Sequence, residues 1–253
     1  MASRGEIIGF CDTRLEIDSF EDYCPNGLQV PGQAEVSALA TAVSANLETI
    51  ERAISAGAQL VLCHHGLFWD SQQRALTAPM AARLRALLGA DVSLAGYHLP
   101  LDAHPEVGNN AIIRKRLGLQ PDPRPFGQAR GAPVGAIGTD EGGIEVGELA
   151  RRTAELVGRE PLVFDSGPSS IHTVGIVSGG GAFAVGEAGS LALDALITGE
   201  PSEPAMAEAR EHGVHFIAAG HYATETFGIR RLGELLAERF GVEHEFIDVP
   251  NPV

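Results

Sequence analysis

Four histidines stand where apolar runs of this chain stop. His64 and His65 follow QLVLC, His98 follows DVSLAGY and His221 follows VHFIAAG. Two of them are trailed by a carboxylate four residues on, Asp102 after His98 and Glu225 after His221. Imidazole and carboxylate together suit borderline divalent ions: Zn, Fe, Mn, Ni or Co. One catalytic zinc keeps about three protein ligands and an open position, so six donors are too many for it. They match two ions held about 3.5–4 Å apart. The expected ligands are His64, His65, His98, Asp102, His221 and Glu225. Adjacent strand side chains face opposite ways, so either the strand has already turned at His64–His65 or each serves a different ion. A helix over 221–225 would put His221 and Glu225 on one face. Pro100 argues against a helix across 98–102, which leaves a turn to bring His98 and Asp102 together.

These residues must be held by the elements around them. Apolar, β-branched segments at 39–43, 59–63, 91–95, 133–138, 172–177, 193–198, 214–219 and 243–249 read as strands. Amphipathic stretches alternate with them: one capped by Asn46 and stopped at Gly57, one capped by Thr77 and stopped at Gly89, and others over 109–118, 146–158 and 224–241. The alternation predicts an α/β fold of two lobes, with mostly parallel sheets covered by helices. In such sheets ligands bind beyond the carboxyl ends of the strands, where the histidines lie. The Pro- and Gly-rich segment 118–133 is the best linker candidate. It sets a first lobe at 1–125 and a second at 126–253, whose part from about 214 returns to complete a metal site between the lobes.

The remaining chemistry-bearing residues read more plainly. Cys63 falls inside an apolar run and is expected to pack as a core thiol. His172, His212, His215 and His244 lack the carboxylate pattern and read as structural, while His104 suits either support or ligation. Phe68 and Trp69 are expected to pack, or to wall a pocket. SGGGAFAVG at 178–186, with Glu200 about 20 residues on, outlines a dinucleotide fingerprint. A tight strand-to-helix turn explains the same glycines.

Composition narrows the function classes. The 253 residues carry 33 acidic and 18 basic side chains, a net charge of -15, and Lys115 is the only lysine. That excludes extended nucleic-acid binding, which needs a basic footprint. Cys11, Cys24 and Cys63 form no C-x-x-C pair, so neither a disulfide framework nor a thiolate zinc site is expected. MASRGEIIGF lacks the long apolar run of a signal peptide. No run of about 18 apolar residues exists to cross a membrane. The reading is a cytoplasmic protein.

Several ordered blocks resemble the Nif-three-like dinuclear-metal family, also called GTP cyclohydrolase I type 2 homologues. They are DYCPNGLQVPG, VLCHHGLFW, GYHLPLDAHPEVGNNA, SGGGAF, ALITGEPSEPAMAEARE, GHYATETFGIRRL and FIDVPNPV, and they run through nearly the whole chain. The similarity is greatest to short bacterial members without an inserted domain. The resemblance implies a toroidal homohexamer with two divalent ions per subunit, held by the same six residues. It also implies metal-dependent hydrolysis of a nucleotide or related small molecule, the opening of a cyclic C–N bond as in guanine. The alternative is a non-catalytic metal-handling assembly. One departure is Ala205, Met206 and Ala207, where the family often carries a Thr-Ile-His type sequence. No general acid or base is singled out beyond the ligands. No basic cluster for a triphosphate stands out either, and Arg14, Arg74, Arg114 and Arg230 are unselected candidates.

Overall fold

The computed structural model describes residues 1–253. The chain forms two compact units, Met1–Leu101 with Gly228–Val249, and Asp102–Phe227 with Pro250–Val253. The first division falls at Leu101/Asp102, ahead of the Pro- and Gly-rich segment. That segment lies inside the second unit, because Gln120–Asp122 pairs as a strand with Ala136–Ile144 and Phe126 is fully buried.

The first unit is built on a five-stranded sheet. Its order is Glu243–Phe246, Ala38–Ser44, Leu60–His65, Ser93–Gly96 and Gly27–Val30. The first four run parallel and the last is antiparallel. Leu60, Val61, Leu62, Cys63 and His64 are all buried, as expected of a central parallel strand covered on both faces. Asn46 caps the helix Leu47–Ser55 by accepting from Thr49 N at 2.8 Å. That helix buries Ile50 and Ala53 against the sheet's apolar cluster. Each large aliphatic side chain so buried contributes about 1.5–3 kcal/mol. Thr77 caps the helix Ala78–Gly89, with Pro79 in its first turn, where a missing N–H costs nothing.

The second unit carries a six-stranded sheet. Its order is Leu162–Phe164, His215–Ala218, Ala195–Thr198, Ile171–Val177, Ala136–Ile144 and Gln120–Asp122. The three strands Ile171–Val177, Ala195–Thr198 and His215–Ala218 pair in parallel, while the outer pairings are antiparallel. The α/β class therefore holds, with one sheet mostly parallel and the other mixed. The helix Val146–Val157 stops at Gly158, whose φ of 73° supplies the left-handed cap.

One local expectation is corrected, and one of two alternatives is closed. Leu99–Ala103 is helical despite Pro100. The proline occupies the first turn, where it breaks no intrahelical hydrogen bond. The strand also does not turn before the paired histidines, since Leu60–His65 includes both and Ser44 registers with His65.

Candidate metal centre

In the first unit, one nitrogen from each of His64, His65 and His98 lies within 4.8 Å of the others. The His64 and His65 ring centroids are 4.8 Å apart, and His98 lies 5.1 Å from His64. The strand end places the pair. His98 follows the neighbouring parallel strand, whose Gly96 registers with Cys63. His64 is fully buried.

Each ring is held through Nδ1. His64 Nδ1 donates to the Tyr97 carbonyl at 2.9 Å, and His98 Nδ1 donates to Asp22 Oδ1 at 2.7 Å. His65 Nδ1 is 3.2 Å from Ser44 Oγ. A proton fixed on Nδ1 puts the lone pair on Nε2, which is the arrangement that metal-ligating histidines adopt. Burial pushes the Asp22 carboxyl up, but hydrogen bonds from His98, Asn26 and Leu99 N outweigh it and hold it below the usual range. Asp22 thus stays ionised as an acceptor.

The segment DYCPNGLQVPG is the support for this set. Asn26 Oδ1 accepts from His98 N at 2.8 Å, and Gln29 Oε1 accepts from Leu67 N at 2.7 Å. A Cβ on Gly66 or Gly96 would displace the Gln29 amide from this position. Trp69 packs its indole against the site, 5.2 Å from His98 and 5.7 Å from His65 between ring centroids.

The second unit gathers the other three residues around one turn. His221–Thr224 forms a short helix with Glu225 at its end. His221 Nε2 lies 3.2 Å from Glu225 Oε2, and its Nδ1 lies 3.4 Å from Glu200 Oε2. Asp102 Oδ1 accepts from Ser178 Oγ at 3.0 Å and from Asn109 Nδ2 at 2.8 Å. The next residue, Gly179, has φ +62°, and a Cβ there would overlap Glu225 Oε1. Ser178 therefore bonds Asp102, and the adjoining Gly179 lies against the His221–Glu225 pair. Burial works against a charged His221, but the hydrogen bond and charge of Glu225, with Glu200 behind them, push its pKa up to about 9.

A family model for Duf34/NIF3 (NGG1p interacting factor 3) matches residues 2–252. The chain belongs to the Duf34/NIF3 family. Among the relatives of this NIF3-family chain are proteins named GTP cyclohydrolase 1 type 2 homolog. The one from Pseudomonas aeruginosa is 40% identical over 97% of both chains. The one from Escherichia coli K12 is 40% identical over 98% of both. Among solved structures, a protein described as ybgI, of unknown function, superposes with a TM-score of 0.93 at 38% identity, covering 100% of both chains. TTHA1606 from Thermus thermophilus gives a TM-score of 0.89 at 33% identity, again covering 100% of both.

The sequence-selected residues of this NIF3-family chain thus fall three to a unit: His64, His65 and His98 gather in the first, and the second carries the His221–Glu225 pair and Asp102. The other histidines are spent differently. His215 donates Nε2 to the Pro168 carbonyl at 2.8 Å, and His244 Nε2 is 2.8 Å from Thr41 Oγ1. His172 Nδ1 donates to the Asp140 carbonyl at 3.0 Å, and its Nε2 is 3.3 Å from Ser170 Oγ. His104 Nδ1 accepts from Glu106 N and Val107 N. Cys63 is fully buried, and burial pushes its thiol up to about 12. The glycine-rich turn 178–181 is shaped by Glu225 and Val177, which crowd Gly179 and Gly181. Sequence reasoning assigned no role to Asp22, Asn26 and Gln29, and it read Glu200 as part of a fingerprint. The signal for the first three was DYCPNGLQVPG itself, a polar-rich block among the family motifs.

Proposed function

We propose that the two donor sets serve one centre of two divalent ions, and that the protein is a metal-dependent hydrolase of a nucleotide or related small molecule. The observation that carries this is the shared anchoring of the histidines through Nδ1, to Tyr97, Ser44, Asp22 and Glu200. It puts the proton on Nδ1 of His64 and His98 and so leaves Nε2 as their ligand atom, it orients the rings of His65 and His221, and the donor set fits the chemistry of Zn, Fe, Mn, Ni or Co. His98 in one set and Asp102 in the other stand only four positions apart in the chain. The names of the relatives, GTP cyclohydrolase 1 type 2 homolog, support the substrate class.

Bound ions would supply acidified water and electrostatic stabilisation of developing charge. The chain's own residues hold the site in place. Asp22 orients His98, Glu200 orients His221, and Asn109 with Ser178 fixes Asp102. Trp69 covers His65 and His98 with apolar surface. Hydrolysis of a cyclic C–N bond places the hydroxyl of water on carbon and its proton on nitrogen, which opens the ring. The homohexamer implied by resemblance belongs to the same reading, and a monomer mass in light scattering contradicts it.

The test is turnover of a nucleotide panel that includes GTP, by protein whose metal content has been verified. The reading expects ring opening that is lost in His65→Ala. Absence of turnover across the panel refutes the hydrolase and leaves the metal-handling alternative.

A further inference from the structure

Beside the first histidine set, the segment Phe68–Arg83 encloses a cavity of about 670 Å³. Three features of it point to a ligand class. Its lining includes Arg74 and Arg83 and no acidic side chain, in a chain with 33 acidic and 18 basic residues. Neither guanidinium has a hydrogen bond, ion pair or ring contact. By contrast, Arg52, Arg124, Arg151, Arg152 and Arg231 all engage carboxylates. The cavity wall also includes Trp69, whose indole meets His98 edge-on at 5.2 Å.

An aromatic plane next to the histidines, with two uncommitted guanidiniums further along the same cavity, matches a ligand with a flat ring and an anionic tail. Guanidinium groups pair with phosphate oxygens through parallel N–H donors. Indole faces stack on nucleobases with little dependence on sequence. The amides of Gln72 and Gln73, also on the lining, add donors and acceptors for ring edges.

We propose that this cavity is the substrate cleft for a nucleoside polyphosphate, with Arg74 and Arg83 holding the phosphates and Trp69 holding the base beside the histidines. The proposal rests on the hydrolase reading for its placement and adds to it the residues that select the substrate.

Trp69 is the only tryptophan in the chain, so its fluorescence reports on this cavity and the adjoining histidines, and metal content is held constant through the titration. The experiment titrates metal-verified protein with GTP, guanosine and inorganic tripolyphosphate, and repeats this with the Arg74→Ala/Arg83→Ala variant. Metal content, melting temperature and turnover are measured on the same samples. GTP is expected to quench saturably, and tripolyphosphate to compete with it. The variant should lose about tenfold or more in GTP affinity while its guanosine affinity and melting temperature stay unchanged. Arg74→Glu/Arg83→Glu should lose more. No saturable GTP quench, or wild-type GTP affinity in the variant, overturns the cleft. Wild-type turnover with unchanged KM in the variant overturns the cleft and leaves the hydrolase standing. Arginine-dependent GTP binding without turnover upholds the cleft and refutes the hydrolase.

Discussion

Asp22 Oδ1 accepts a 2.7 Å hydrogen bond from His98 Nδ1, across 76 residues of sequence. The same carboxylate accepts from Asn26 Nδ2 and from Leu99 N, each at 2.9 Å. One acidic side chain therefore sets the tautomer and angle of His98 and secures the backbone beside it. It is the clearest case in the chain of a group that acts on a candidate ligand without itself being one.

Removing that carboxylate should weaken metal binding. Asp22→Ala is expected to lower affinity about 10–100-fold, measured by competition with a chromophoric chelator. Asp22→Asn keeps an acceptor oxygen and should recover part of the loss. Wild-type affinity in Asp22→Ala would show that His98 needs no such partner.

Gly179→Ala tests the turn between Asp102 and Glu225. The left-handed backbone alone costs about 1–2 kcal/mol for a residue with a Cβ, and the methyl would displace the Glu225 carboxylate. Denaturant unfolding should show at least that loss, and metal titration should show weakened binding. A variant that is destabilised yet keeps full metal affinity would separate the turn from the site.

His215 offers the opposite outcome. It is buried, accepts from Gly167 N and donates to the Pro168 carbonyl. His215→Ala should cost about 2–4 kcal/mol, because a cavity forms and two backbone groups lose their partner. Metal stoichiometry by elemental analysis should stay unchanged.

The metal-free protein should carry a pH signature of His221. Its folded pKa of about 9 lies above the ordinary 6.5. The charged pair with Glu225 therefore stabilises the fold fully below about pH 6.5, and this contribution fades as pH rises towards 9. Chemical unfolding of stripped protein across pH 6–10 should show the decline, and His221→Gln should flatten it.

The sequence exposed the fold through its punctuation. Asn46, Thr77 and Gly158 each mark a helix end that the structure confirms, because caps are local chemistry. Pro100 misled, because a proline breaks a helix only beyond its first turn. The histidine sets were legible because strand ends deliver side chains to one edge. Asp22, Gln29 and Glu200 were not, since their partners lie far along the chain or in a pattern that mimics another motif. Arg74 was one of four unselected candidates in the sequence and Arg83 was not among them; the cavity singles both out through what its lining lacks, a carboxylate, and no spacing rule reports an absence.

Anomalous diffraction from metal-loaded crystals, collected at the absorption edge of the bound element, tests the central claim most directly. The account predicts two peaks per chain, ligated by His64, His65, His98, Asp102, His221 and Glu225, with every imidazole bonded through Nε2. A single ion, ligation through Nδ1, or no peak at these residues in protein shown to contain metal would contradict it.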